Sequence, residues 1–357
     1  MTPLAEELQY QIKSDQEIND QTFTNELFEN IDLAVARFSN CHFVGCLFDR
    51  VDLRQSTFFQ CHFNRCEFNH TDTESSQWQS CQFNNITSSD TDFSHNQFIT
   101  CQWKQSTFTQ INFLHASFER CQFDLCPFDQ CRFEQSTFFS CQLNQCSSQK
   151  GITERLNLYQ TQMTPFPFKE QKLSKMLIAE TNLSGIDLTG RDLSMTQFMD
   201  CTLDDVIAND IIAIQSNFSG CRMNRAQLRR IQGTGILMAG TELNGAYLDN
   251  SQLDQASFQE ASLNQASLKN CNFTMSQLPS VQLKNANLNG CKLTYADLSN
   301  SQLQQTIISN CELTRCNLHN VIVEDTDWTD SNKLDALPTD EKRLRAELWQ
   351  KPPRRDV

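Results

Sequence analysis

The chain has 357 residues, of which 39% are hydrophobic, with a mean hydropathy of −0.50 and a net charge of −14. So little apolar material leaves a compact globule short of core, whereas a narrow solenoid needs only a thin one. The acidic balance argues against nucleic acid and anionic membranes as direct partners and favours a basic or cationic one.

Residues 1–20 read as an N-terminal cap, with a short acidic helix expected within 3–19. They lack the continuous apolar stretch of a secretory signal. No stretch approaches eighteen consecutive apolar residues, so no membrane contact is expected. Seventeen cysteines in a chain of this length point to reduced thiols and a cytoplasmic protein.

Residues 21–148 carry a large apolar side chain every five residues: Phe23, Phe28, Leu33, Phe38, Phe43, Phe48 and onward. Through residue 143, Thr73 and Ser88 are the exceptions. Two positions earlier stands a small or β-branched residue, such as Ala36, Cys41, Cys46, Val51 or Ser56. All the cysteines share this spacing, from Cys41 to Cys316, which marks them as inward packing residues rather than nucleophiles or metal ligands. Neither a 3.6-residue helix nor a two-residue strand keeps one face at a five-residue period. The chain must therefore turn a corner every five residues.

Residues 149–177 weaken the pattern, because Leu156, Phe166 and Met176 replace small residues and Pro165 and Pro167 remove backbone donors. They read as a distorted coil or loop insertion. From 178 to 330 the period resumes with Leu at the large position and Ala246, Ala256, Ala261 and Ala266 beside it. A second weak stretch carries Ala208, Ala213 and Gly233. Residues 331–357 read as a C-terminal helix containing Leu344, Leu348 and Trp349, with Thr339 as N-cap, followed by a basic, mobile tail.

Ala286-Asn287-Leu288-Asn289-Gly290 and Ala296-Asp297-Leu298-Ser299-Asn300 fit the motif A(D/N)LXX, and the chain resembles the pentapeptide-repeat family over about residues 21–330. The resemblance implies an all-β, right-handed quadrilateral parallel β-helix with twenty residues per coil and short helical caps at its ends. The chain supports that coil length independently. Cys41, Cys61, Cys81, Cys101, Cys121 and Cys141 would stack in one ladder. His42, His62, Gln82, Gln102, Gln122, Gln142 and Gln162 would form an outer one whose amides bond from coil to coil.

No catalytic, cofactor-binding or metal-binding set emerges, so a non-enzymatic protein is expected. The candidate protein-binding residues are Arg222, Arg225, Arg229 and Arg230, a basic cluster in an acidic chain, and Leu344, Leu348 and Trp349. The arginines could equally pair with Asp204, Asp205 and Asp210 one coil earlier. The resemblance implies a protein-interaction scaffold or adaptor, including accessory or effector-linked components of bacterial type VI secretion systems. Its alternative is a DNA mimic that binds DNA gyrase or topoisomerase, protects it from quinolones and forms a homodimer through an end cap. Residues 1–148 hold 8 basic and 19 acidic side chains, which suits mimicry, whereas Arg222 to Arg230 interrupt the polyanion.

Overall fold

In the computed structural model, which describes residues 3–168 and 171–349, the backbone turns at nearly every fifth residue through a positive φ. Asn25 (53°), Asn40 (51°), Gln60 (52°), Asn85 (54°) and Asn310 (55°) are examples. This left-handed conformation crowds a Cβ and favours Asn, Asp and Gly. Four such corners bring the chain back over itself after twenty residues. Phe43 pairs with Phe63, Trp78 with Phe98 and Phe118 with Phe138, all in parallel. The fold is a four-sided parallel β-solenoid with two short α-helices, α1 (Pro3–Lys13) and α2 (Glu341–Glu347). Among the described residues no helix is long and apolar enough to cross a membrane.

The chain divides into two compact units. The first comprises residues 1–186 and 191–202. Three of its faces are parallel sheets: ten strands from Ile18–Asn19 to Gln197–Met199, eight from Thr22–Thr24 to Gln162–Thr164, and seven from Leu27–Glu29 to Ser147–Gln149. The fourth face is a column of single bridges through Asp32, Asp52, Asp72, Asp92, Asn112, Arg132 and Ile152. There the side chains of Asp32, Asp52, Asp72 and Asp92 accept from the amide two residues on, at 2.7–3.1 Å. Such Asx turns compete with a strand and tighten the face.

The second unit, 187–190 and 203–357, is bridged almost throughout. One column runs Asp187, Ile207, Gln227, Tyr247, Ser267, Asn287, Ile307 and Asp327.

The large side chains point inward and stack coil upon coil. Phe43 and Phe63 lie 4.6 Å apart and 3° from parallel, and Trp103 and Phe123 lie 4.5 Å apart and 1° from parallel. The small residue two places earlier has a second task. The thiols of Cys41, Cys81 and Cys101 donate to the carbonyls of Ile18, Phe58 and Trp78 at 3.2–3.4 Å, each twenty-three residues back. Ser56, Thr71 and Ser136 donate from the same position to Leu33, Phe48 and Phe113. Cys, Ser and Thr interchange here because each is small and carries a donor.

The same twenty-three-residue relation accounts for six of the exceptions in the pattern, though not for Leu156, Phe166 or Gly233. Where the large position holds Thr73, Ser88, Ser148, Thr153, Ala208 or Ala213, the usually small position twenty-three residues later holds Asn96, Ile111, Gln171, Met176, Ile231 or Ile236, all buried. The Asn96 amide donates to Thr73 Oγ1 at 2.8 Å and accepts from the Ser76 amide at 2.8 Å. Gln171 likewise donates to Ser148 Oγ at 3.4 Å. Gly233 is hemmed in by Ile231 and Ile236, whose Cγ2 atoms lie 3.2 and 3.4 Å from where a Cβ would sit. At these six places one core side chain is shortened and its neighbour lengthened.

Within 149–177 the sheets continue through Asn157–Tyr159 and Gln162–Thr164 and resume at Leu177–Ala179. The Thr164–Pro165 peptide is cis. Phe166, Phe168, Leu173 and Met176 are buried, so this stretch still fills the core. At the start of the chain α1 ends at Lys13, and Ile18 already belongs to the first coil. Leu8 is buried against that coil, and Gln9 donates to the Asp32 carbonyl at 3.3 Å.

Candidate interaction surfaces

The four arginines of the basic cluster sit on outer and corner positions of the second unit, where the twenty-residue register sets an acid beside each. Arg222 lies 2.7 Å from Asp204. Arg225 grips Asp205 through two bonds of 2.8 and 2.6 Å, and Arg230 grips Asp210 through two of 2.6 Å. Arg229 departs from this pattern. It lies 3.6 Å from Asp249, one coil later, and 4.4 Å over the ring of Tyr247. The paired guanidinium holds each of the Asp205 and Asp210 carboxyls below the usual carboxylate range. These arginines therefore neutralise neighbouring acids within their own unit, and they are more than half exposed except Arg229.

The outer ladder of the first unit runs in register from His42 through His62, Gln82, Gln102, Gln122 and Gln142 to Gln162. The imidazoles of His42 and His62 stack at 4.7 Å. The amide of Gln122 goes to Asp124 at 2.7 Å rather than along the ladder. Coil-to-coil amide bonds occur instead in asparagine columns, as from Asn270 to Asn250, Asn244 to Asn224 and Asn320 to Asn300. The shorter side chain keeps its amide at the level of the neighbouring coil.

At the far end of the second unit, the N-cap of α2 is Asp340, not Thr339. Asp340 Oδ1 accepts from the amides of Lys342 and Arg343 at 2.9 and 3.1 Å, while Thr339 Oγ1 is taken by the Asn320 amide at 3.1 Å. The helix stops at Glu347, so Leu348 is its C-cap and Trp349 lies beyond it. Leu344 is half-buried, whereas Leu348 and Trp349 are exposed. The basic segment KPPRRDV lies outside the described residues.

One group at this end had no signal in the sequence. His319, 2% exposed, accepts the Asp340 amide on Nδ1 at 3.1 Å, and its Nε2 faces Glu347 at 3.1 Å. One imidazole thereby ties both ends of α2 to the last coils. In the same terminal segment Val323, Leu334, Leu337, Leu348 and Trp349 are all exposed.

The family model for pentapeptide repeats matches eight copies, over residues 28–72, 238–274 and 282–332. The chain carries pentapeptide repeats over these three segments. Comparison with curated proteins gives no match. Among solved structures it is similar to a trypsin-treated variant of QnrB1, a plasmid-mediated fluoroquinolone resistance protein, at 16% identity over 51% of this chain and 88% of that one, with a TM-score of 0.36. It is also similar to HetL, a pentapeptide-repeat protein involved in heterocyst differentiation regulation in the cyanobacterium Nostoc sp. strain PCC 7120. That likeness has 13% identity over 94% of this chain and 97% of the other, with a TM-score of 0.27. At these values neither likeness bears on activity or partner.

In this pentapeptide-repeat protein all seventeen cysteines are free and buried. Burial pushes the thiols of Cys131 and Cys316 up to about 12 and raises that of Cys101 well above the usual thiol range. Protonated, enclosed thiols such as these three are poor nucleophiles. Among the described residues no group of three or more His, Cys, Asp and Glu side chains is placed to hold a metal ion.

Proposed function

We propose that this protein is a non-enzymatic, cytoplasmic protein-interaction scaffold or adaptor whose principal contact surface is the C-terminal end of its second unit. The observation that carries this reading is the exposed apolar set there: Leu334 is fully exposed, Leu348 is 70% and Trp349 67% exposed. Aromatic and aliphatic anchors of this kind dominate protein–protein contacts, while ion-paired polar faces contribute little. The partner class that the family resemblance puts first is a secretion-system spike or effector. Capture from the native host on the tagged full-length chain, followed by mass spectrometry, tests this. A partner retained by the wild type and lost with Trp349→Ala is the expected result; equal retention by both removes the end as the contact surface.

A second reading, gyrase mimicry, is favoured by the net −11 of residues 1–148. It requires binding to gyrase and relief of quinolone inhibition in a supercoiling assay. No binding and no protection would remove it.

A further inference from the structure

The regular coil fixes which backbone groups face the next coil, and in the second unit it therefore shows which are left over at the end. Leu303 and Gln305 donate their amides forward to the carbonyls of Ile322 and Glu324 at 2.8 and 2.7 Å, and the Ser301 carbonyl accepts the Ile322 amide at 2.9 Å. One face further on, Ile308 and Asn310 donate to Asp327 and Thr329, and Thr306 accepts from Asp327. One coil later the equivalent donors are the amides of Val323, Asp325, Trp328 and Asp330, and the equivalent acceptors are the carbonyls of Val321 and Thr326. Among the described residues none of these groups has a backbone partner. Ile322 and Asp327 each bridge only backward, to Gln302 and Ile307. α2 closes a different part of the end, over His319.

Beside this open edge lies a hollow of about 230 Å³ lined by Leu318, Val321, Val323, Trp328, Ala336 and Pro338, among others. Along the edge itself Glu324, Asp325, Asp327 and Asp330, all exposed, form an acidic border. Lys333 also lines the hollow, with its ammonium held 4.4 Å over the Trp328 ring. An unpaired strand edge is a template for another strand. Main-chain bonds would supply affinity, and alternate side chains would supply selectivity.

We infer that the edge Val321–Asp330 is a strand-addition site for an extended, basic peptide segment of a partner protein, with an apolar side chain seated in the hollow and Lys or Arg side chains facing the acidic border. The inference rests on the scaffold reading and specifies its partner: the backbone edge selects a β-strand, the hollow an aliphatic residue and the border positive charge. A second copy of this chain, itself acidic at this border, would bring like charges together.

The test uses the full-length protein and a fluorescein-labelled heptapeptide of alternating lysine and valine, with the same peptide N-methylated at alternate amides as control. Anisotropy should report binding to the unmodified peptide. The N-methylated peptide and the Val323→Pro variant should each weaken it by about tenfold or more, since each removes edge hydrogen bonds. Amide exchange at Val323 and Asp325 should slow when the peptide is added. Proline is tolerated at a strand edge whose N–H faces solvent, so Val323→Pro should keep the wild-type circular dichroism. If it does not, Trp328→Ala takes its place and the N-methyl control still decides. Absence of binding, or equal binding of the N-methylated peptide, overturns the proposal. So does a wild-type dimer in sedimentation that Val323→Pro turns into a monomer, which would give the edge to a second copy. A host partner retained equally by Val323→Pro would overturn the edge site while leaving the scaffold reading in place. Peptide binding without any captured partner would do the reverse.

Discussion

A left-handed corner at Val35, with φ of 56°, is occupied by a β-branched residue that is 56% exposed. Its Cβ branch gains little burial and crowds the carbonyl of a backbone that Asn or Gly adopts far more readily. Val35→Asn should therefore stabilise the first unit by about 1 kcal/mol, read as a raised urea midpoint; a lowered midpoint would show that Val35 packs in a way its exposure conceals. The paired exceptions make a sharper case. Thr73→Leu alone should overpack the space that Asn96 already fills, costing about 1–3 kcal/mol. Asn96→Ser alone leaves a void and removes the donor to Thr73 Oγ1, whose own bond to the Asp92 carbonyl at 2.7 Å remains. Combining the two should recover much of the loss, with a coupling on the order of 1–3 kcal/mol; strictly additive effects would sink the compensation. The paired exceptions were visible in the sequence only as irregularities. The five-residue period located Thr73, Ser88, Ala208 and Ala213, but the twenty-three-residue offset needs the coil geometry that places one side chain over the preceding coil's carbonyl.

At the level of single elements, α2 is fastened by contacts that propensity cannot show. Thr339 and Asp340 are both good N-caps, and the choice between them is made by the Asn320 amide, which takes the threonine hydroxyl. The helix itself was legible from its residues, but its tie to His319 was not. Asp340 and Glu347 are held below the usual carboxylate range, Asp340 first by the amides of Arg343 and Lys342 and Glu347 first by His319 and then Arg343. A depressed carboxyl contributes stability that is complete above its ordinary value and is lost as pH falls through the folded value. Attachment of α2 should thus hold at neutral pH and fail as pH drops below about 4, seen as faster amide exchange in Glu341–Glu347 while the coils stay protected. Protection that persists to pH 2 would mean that Leu344 packing, rather than charge, holds the helix. The arginine corners should behave differently. Arg225→Ala removes an exposed pair, and its midpoint should stay close to wild type because solvent screens both partners.

Across the whole molecule the core is a sum of similar layers, and a layer whose buried thiol is raised, as at Cys131 and Cys316, couples folding to thiol ionisation. In an unfolded chain a thiol ionises near about 8.5, whereas burial holds Cys131 and Cys316 at about 12. Between those values the folded protein binds the extra proton, so stability is complete below the lower value and falls as pH rises toward the upper one. Each such thiol should cost roughly 2 kcal/mol by pH 10. A Cys131→Ser variant keeps a donor of similar size for the Phe108 carbonyl, which the thiol reaches at 3.6 Å, but has nothing to ionise. Its urea midpoint should fall less steeply than that of the wild type between pH 8.5 and 10, although at pH 7 the two differ little. Parallel curves would mean that alkaline loss comes from the growing negative charge of the surface and not from the buried ladder. Labelling with a thiol reagent supplies the independent check. The wild type should react only at its unfolding rate, and immediate labelling at neutral pH would remove the protonated core on which the alkaline argument depends.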